Sequence, residues 1–155
     1  MKQLCHISAF LCLLAIAAAC ESVDCTLNNK VACTYVFYND GTSVSLLDTL
    51  NVYACGTDSI LVNQEIGASS AIIPMSYWLD ADTLIFEVRG KDYLLVDTVY
   101  VEKTNIPHFE SPDCPSKMFH TITAVRCTHH FMDDIIITNP LINYDEVENL
   151  QIHIH

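Results

Sequence analysis

Basic residues are scarce in this chain: lysine and arginine number 7 of 155 residues, against 19 aspartates and glutamates. That balance excludes the basic stripe that nucleic acid requires, and the polybasic patch that holds proteins on anionic headgroups. Glycine (4) and proline (5) are also few, and neither a low-complexity linker nor a repeat is present. Helical periodicity is almost missing, with Asp145 to Gln151 offering a single turn at most. Beyond the N-terminus no apolar run approaches the ~18 residues of a membrane span. The chain also lacks His-Glu-x-x-His, Gly-x-Ser-x-Gly, a phosphate loop, Gly-x-Gly-x-x-Gly and Cys-x-x-Cys. Asp80 and Asp82 form an Asp-x-Asp, but without the glycine and glutamate of a calcium loop. Glu110 and Asp113 read as loop solvation rather than an acid–base pair. The acidic residues are scattered rather than gathered for calcium. These absences lead us to expect no enzyme and no cofactor.

What is present begins at the N-terminus. Lys2 precedes an apolar run from Leu4 to Ala19, then Ala17-Ala18-Ala19-Cys20 and a polar Glu21-Ser22-Val23-Asp24. A basic start, a short apolar core and small residues before a cysteine describe a bacterial lipoprotein signal peptide. Residues 1–19 are expected to be removed and Cys20 to carry acyl chains. Several buried chains anchor firmly, since each methylene contributes about 0.8 kcal/mol. Lipoprotein signals usually place leucine where Ala17 stands, and the same alanines suit the ordinary secretory peptidase, so plain secretion is the alternative. Cleavage removes Lys2 and no acid, leaving a mature part more acidic than the −12 of the whole chain. Residues 20–25 read as lipidated terminus and tether, and 26–155 as one domain.

Of eight cysteines, Cys5 and Cys12 leave with the signal and Cys20 takes the lipid. Cys25, Cys33, Cys55, Cys114 and Cys127 remain, an odd set; without lipidation Cys20 would make a sixth. Export permits disulfides. The preferred pair is Cys25 with Cys114, each in a polar, turn-like segment, whereas Cys33 and Cys127 read as small core residues within strands.

Most segments after residue 30 read as strand. Val31 to Tyr38 is rich in β-branched and aromatic residues, and Asn39-Asp40-Gly41-Thr42 supplies a hairpin turn. Ser43 to Ala54 and Ser59 to Asn63 follow, then a looser stretch through Gly67, Pro74 and Trp78. Thr83 to Arg89 alternates cleanly and pairs across Gly90-Lys91 with Tyr93 to Glu102. Pro107 to Ser116 reads as loop or edge. Met118 to Thr128, Asp134 to Thr138 and Leu150 to Ile154 complete the set. The expected fold is all-β, an antiparallel β-sandwich, immunoglobulin-like or related.

Histidines and aromatics are the remaining chemistry. His153 and His155 share a strand face and are the nearest approach to a metal site, but two ligands do not make one, so no metal is assigned. His120, His129 and an acid could form a composite site only if the fold converges them. Tyr77-Trp78 reads as a core plug in preference to a partner contact or sugar platform.

Asp24-Cys25-Thr26-Leu27-Asn28-Asn29, the run from Asp113-Cys114-Pro115 to Met118-Phe119-His120-Thr121-Ile122-Thr123, and Asn139-Pro140-Leu141-Ile142-Asn143-Tyr144 resemble a family of small uncharacterised lipoproteins of Bacteroidota-type bacteria. The resemblance implies class and location but no activity; Cys33, Cys55 and Cys127 depart from its pattern. The expected protein is a cell-envelope lipoprotein, held on the outer membrane by its lipid anchor, that binds another envelope protein or a glycan. The alternative is a metal- or ligand-binding protein using His153, His155 and surface acids. Glu21 and Asp24 are a partial surface-export signal, which leaves the leaflet open.

Overall fold

Strand alternation in the sequence becomes two packed sheets in the structure, a computed structural model that describes residues 30–155. The strands are β1 Ala32–Asn39, β2 Thr42–Ser43, β3 Thr49–Ala54, β4 Ile60–Ile66, β5 Ser70–Pro74, β6 Ala81–Arg89, β7 Leu94–His108, β8 Lys117–Cys127, β9 Met132–Ile137, β10 Leu141–Ile142 and β11 Glu148–Ile154. No helix occurs among the described residues. One sheet runs β2-β1-β11-β9, with β5 also on β1; the other runs β10-β8-β7-β6-β3-β4. Among the described residues the body comprises 30–108 and 116–155, while Phe109–Pro115 falls in a separate small unit.

The all-β sandwich follows from period-two burial. In β1, Cys33, Tyr35 and Phe37 are fully buried, with partly exposed residues between them. In β6, Leu84, Phe86 and Val88 turn inward, and in β11 Leu150 and Ile152 do. Tyr35 meets Phe86 between the sheets at a 5.6 Å centroid separation. The expected hairpin after β1 forms as Asp40 (φ 49°) and Gly41 (φ 74°) both adopt left-handed backbone, which matches the twist of paired strands. At the β6–β7 turn, a Cβ on Gly90 would lie 2.5 Å from the Tyr93 ring.

Three features depart from expectation. Ser43–Ala54 divides into β2 and β3, because the segment between them leaves the sheet: Leu46 inserts into the core while its amide donates to Ala68 O at 2.9 Å. The stretch expected to be loose contains β5, in antiparallel register with β1, Ala32 opposite Pro74. β7 runs on through Pro107 to His108. Past Glu102 it has no β6 neighbour and is an edge, where proline is tolerated. The ladders are antiparallel with one exception: β1 pairs parallel with β11.

Candidate binding surface

β7 supplies the organising residues. Asp97, Val99, Val101 and Lys103 occupy successive inward positions and are all buried, so the strand's inward stripe begins and ends on a charge. Burial of an unpaired ion is costly, and each charge here is consumed by backbone groups.

Asp97 sits below the β8–β9 turn. Its carboxylate accepts from the amides of His130 (2.9 Å), Phe131 (2.8 Å) and Met132 (3.0 Å) and from Thr128 Oγ1 (2.6 Å). Burial pushes its pKa up, but the Phe131 amide, the Thr128 hydroxyl and the Met132 and His130 amides outweigh burial and hold it below the usual value.

Lys103 sits below the β5–β6 connection. Its fully buried ammonium donates to Ser76 O (2.7 Å), Leu79 O (2.5 Å) and Asn105 Oδ1 (2.8 Å), with the Asp82 carboxylate 3.9 Å away. Burial lowers its pKa, with Asp82 and Asp80 opposing. Asn105 Nδ2 also donates to Leu79 O (3.1 Å), and Asp82 accepts from the Ser76 amide (3.1 Å). His120, 2% exposed, completes the cluster through Nδ1 to Asn105 Oδ1 at 2.8 Å. Burial, and then the Lys103 charge, push its pKa down to about 4. It is neutral at pH 7.

Above this clamp, Tyr77 (45%), Trp78 (82%) and Leu79 (60%) are exposed in succession. The expected core plug is thus overturned: Met75 is the inward residue of the connection, and the carbonyls of Ser76 and Leu79, held by Lys103, leave the three side chains between and beside them no inward route. Beside the loop lies a groove of about 370 Å³ lined in part by Cys55, Leu61, Met75, Ser76 and Asp82. A second groove of about 370 Å³ separates β4 from β5 and is lined by Leu61, Val62, Asn63, Glu65, Ser70 and Ile72. Ile60, Ile66 and Ile72 are exposed on these two strands. Along β4, Gln64 takes a left-handed conformation (φ 51°), its amide donating to the buried Asn51 Oδ1 at 2.7 Å.

The residues singled out from sequence are dispersed. Cys20 and Cys25, with the signal at 1–19, lie outside the described residues. Cys114 lies in Phe109–Pro115, where its amide donates to Ser111 O at 3.1 Å. Cys33, Cys55 and Cys127 are free thiols. Burial raises the Cys33 pKa to about 12 and that of Cys127 to about 11. His153 stacks on Tyr38 at 5.7 Å, while His155 pairs with Asp133 at 2.9 Å. His129 meets Met132 O at 3.3 Å, away from His120 and its Asn105 partner. Among the described residues, no three His, Cys, Asp or Glu side chains gather as metal ligands.

The Lys103 clamp was missed, although β7 carried a signal for it. Continuing the inward alternation of Val99 and Val101 by one step in each direction reaches Asp97 and Lys103.

A model of a family of unknown function, DUF6452, matches residues 49–154. The chain belongs to that family. The DUF6452 match spans β3 to β11 and includes the Tyr77–Leu79 loop, Asp97 and Lys103, whereas β1 and β2 precede it. No curated protein matches the chain, and no solved structure does.

Proposed function

We propose that this DUF6452 chain is a non-enzymatic cell-envelope lipoprotein, cut before Cys20 and held on the outer membrane by acyl chains there, whose sandwich binds another envelope protein. The reading joins the N-terminal signal pattern to the family resemblance. The observation that carries its binding role is the open flank between β4 and β5. There Ile60, Ile66 and Ile72 stay exposed beside a groove, at the margins of both sheets. An extended segment from a partner can add to such an edge, its backbone pairing with the strand and alternate side chains entering the groove. By contrast, the buried charges Asp97 and Lys103 are spent on the protein's own turns, which suits a scaffold better than a reaction centre. Cys25 and Cys114 complete the reading as a disulfide pair.

Intact mass of protein purified from membranes tests the anchor: acyl chains on a chain starting at Cys20, with one disulfide lost on reduction, are expected. Affinity capture from solubilised membranes tests the partner, with wild type retaining a stoichiometric protein that the Ile66→Asp, Ile72→Asp double variant loses. An unmodified mass in the soluble fraction defeats the anchor, and equal capture by wild type and variant defeats the flank.

A glycan is the second reading, favoured by Tyr77 beside an 82% exposed Trp78, since aromatic faces stack on sugar rings. Trp78 emission changing on addition of envelope polysaccharide would support it. Metal binding by His153 and His155 has less support, because Tyr38 and Asp133 already engage them.

A further inference from the structure

The point where the chain enters the sandwich and the Tyr77–Trp78–Leu79 loop share one end of the fold. β1 begins at Ala32, and its antiparallel register sets Ala32 opposite Pro74, the last residue of β5. The loop starts three residues later, at Tyr77. It returns to β6 at Ala81, which is opposite Glu102 of β7, and Lys103 beside that pair holds the loop's carbonyls. Chain entry, loop and clamp are therefore neighbours. Cys20 lies ten residues before Lys30, a span that reaches at most ~35 Å when fully extended. An acylated Cys20 confines this end of the sandwich to the neighbourhood of the bilayer surface.

The three exposed side chains suit that surface. Tryptophan and tyrosine favour the headgroup level, where the ring is buried and the N–H or O–H stays hydrated, and leucine adds apolar area below them. The backbone that presents them is already ordered by Lys103 and Asn105, so little conformational entropy is lost on contact. With few basic residues in the chain, attraction to anionic lipid does not supply the contact, and a zwitterionic interface suffices.

We infer that Tyr77, Trp78 and Leu79 enter the lipid–water interface of the membrane carrying the anchor, giving the tethered domain a second contact and a fixed orientation. The inference rests on the lipoprotein reading above. It leaves the β4–β5 flank to a protein partner.

Trp78 is the only tryptophan in the chain, so its emission reports this loop alone. The experiment takes the full mature protein from membranes, confirms its acylation by mass, and reconstitutes it in phosphatidylethanolamine–phosphatidylcholine vesicles. Some of the phosphatidylcholine is brominated close to the headgroup. The expected result is blue-shifted emission and roughly a twofold loss of intensity with brominated lipid, as for an interfacial tryptophan. Acylated, vesicle-bound protein whose Trp78 ignores the brominated lipid and remains open to iodide overturns the inference and leaves the anchor intact. Protection from iodide that needs a co-purified protein or added glycan, without quenching by lipid, also overturns it and assigns the loop to that ligand. An unacylated, soluble protein removes the anchor and the inference with it.

Discussion

Asp97 and Lys103 project from the same face of β7, with Val99 and Val101 buried between them. The two charges serve opposite ends of the sandwich. Asp97 gathers the amides of the β8–β9 turn, and Lys103 gathers the carbonyls of the β5–β6 loop. A carboxylate offers only acceptors and an ammonium only donors, so each binds the half of the peptide group that the other cannot.

Lys103→Met keeps the length of the apolar stem and removes the ammonium with its donors. Ser76 O and Leu79 O are then left without the ammonium, at a cost of about 2–4 kcal/mol from buried acceptors and the stranded Asp82. Urea denaturation should show that loss. Time-resolved anisotropy of Trp78 should gain a fast component in the variant. An unchanged decay would mean that the loop is ordered without the clamp.

Asp97→Ala withdraws one carboxylate from several donors at once. We expect a loss of about 3 kcal/mol or more, because charged hydrogen bonds contribute about 1.5–3 kcal/mol each but are not additive. Hydrogen exchange of the Phe131 and Met132 amides should accelerate far more than that of Tyr35, whose ladder partners lie on β11 and β5. Uniform acceleration would point to global destabilisation alone.

His120 gives stability a pH dependence of defined sign. Its folded pKa is near 4, below the ordinary value of about 6.5. As pH falls through about 6.5 the unfolded chain takes up a proton that the folded chain refuses, so stability declines down to about pH 4 and its contribution then levels off. The loss is up to about 3 kcal/mol across that window. His120→Gln should flatten this part of a plot of unfolding free energy against pH. A parallel profile for wild type and variant would contradict the assignment.

The free thiols should separate by rate. Cys55 is exposed, while burial holds Cys33 at about 12 and Cys127 at about 11, and only the thiolate reacts. Mild alkylation at pH 8 followed by peptide mapping should therefore label Cys55 first, then Cys127, with Cys33 reacting only on unfolding. Early labelling of Cys33 would place β1 outside the core.

Much of this architecture was legible in the residues themselves. Leu84, Phe86 and Val88 alternate with partly exposed residues, and Asp40-Gly41 provides the two left-handed positions of a hairpin; both are local signals that need no knowledge of distant chain. The exposure of Trp78 was not legible, because a tryptophan between apolar neighbours reads the same whether its backbone faces inward or is held away. That choice belongs to Lys103, brought to Ser76 and Leu79 by the β6–β7 ladder.

The sequence alone determined the period-two pattern, the strand-rich class and the acidic character, since each depends on neighbouring residues or on composition. Tertiary structure decided the parallel pairing of β1 with β11, the gathering of Ser76, Leu79, Asn105 and His120 around Lys103, and the shared end of chain entry and aromatic loop. Those relations depend on sheet register between segments far apart in the chain. Register is set by how whole faces bury against one another.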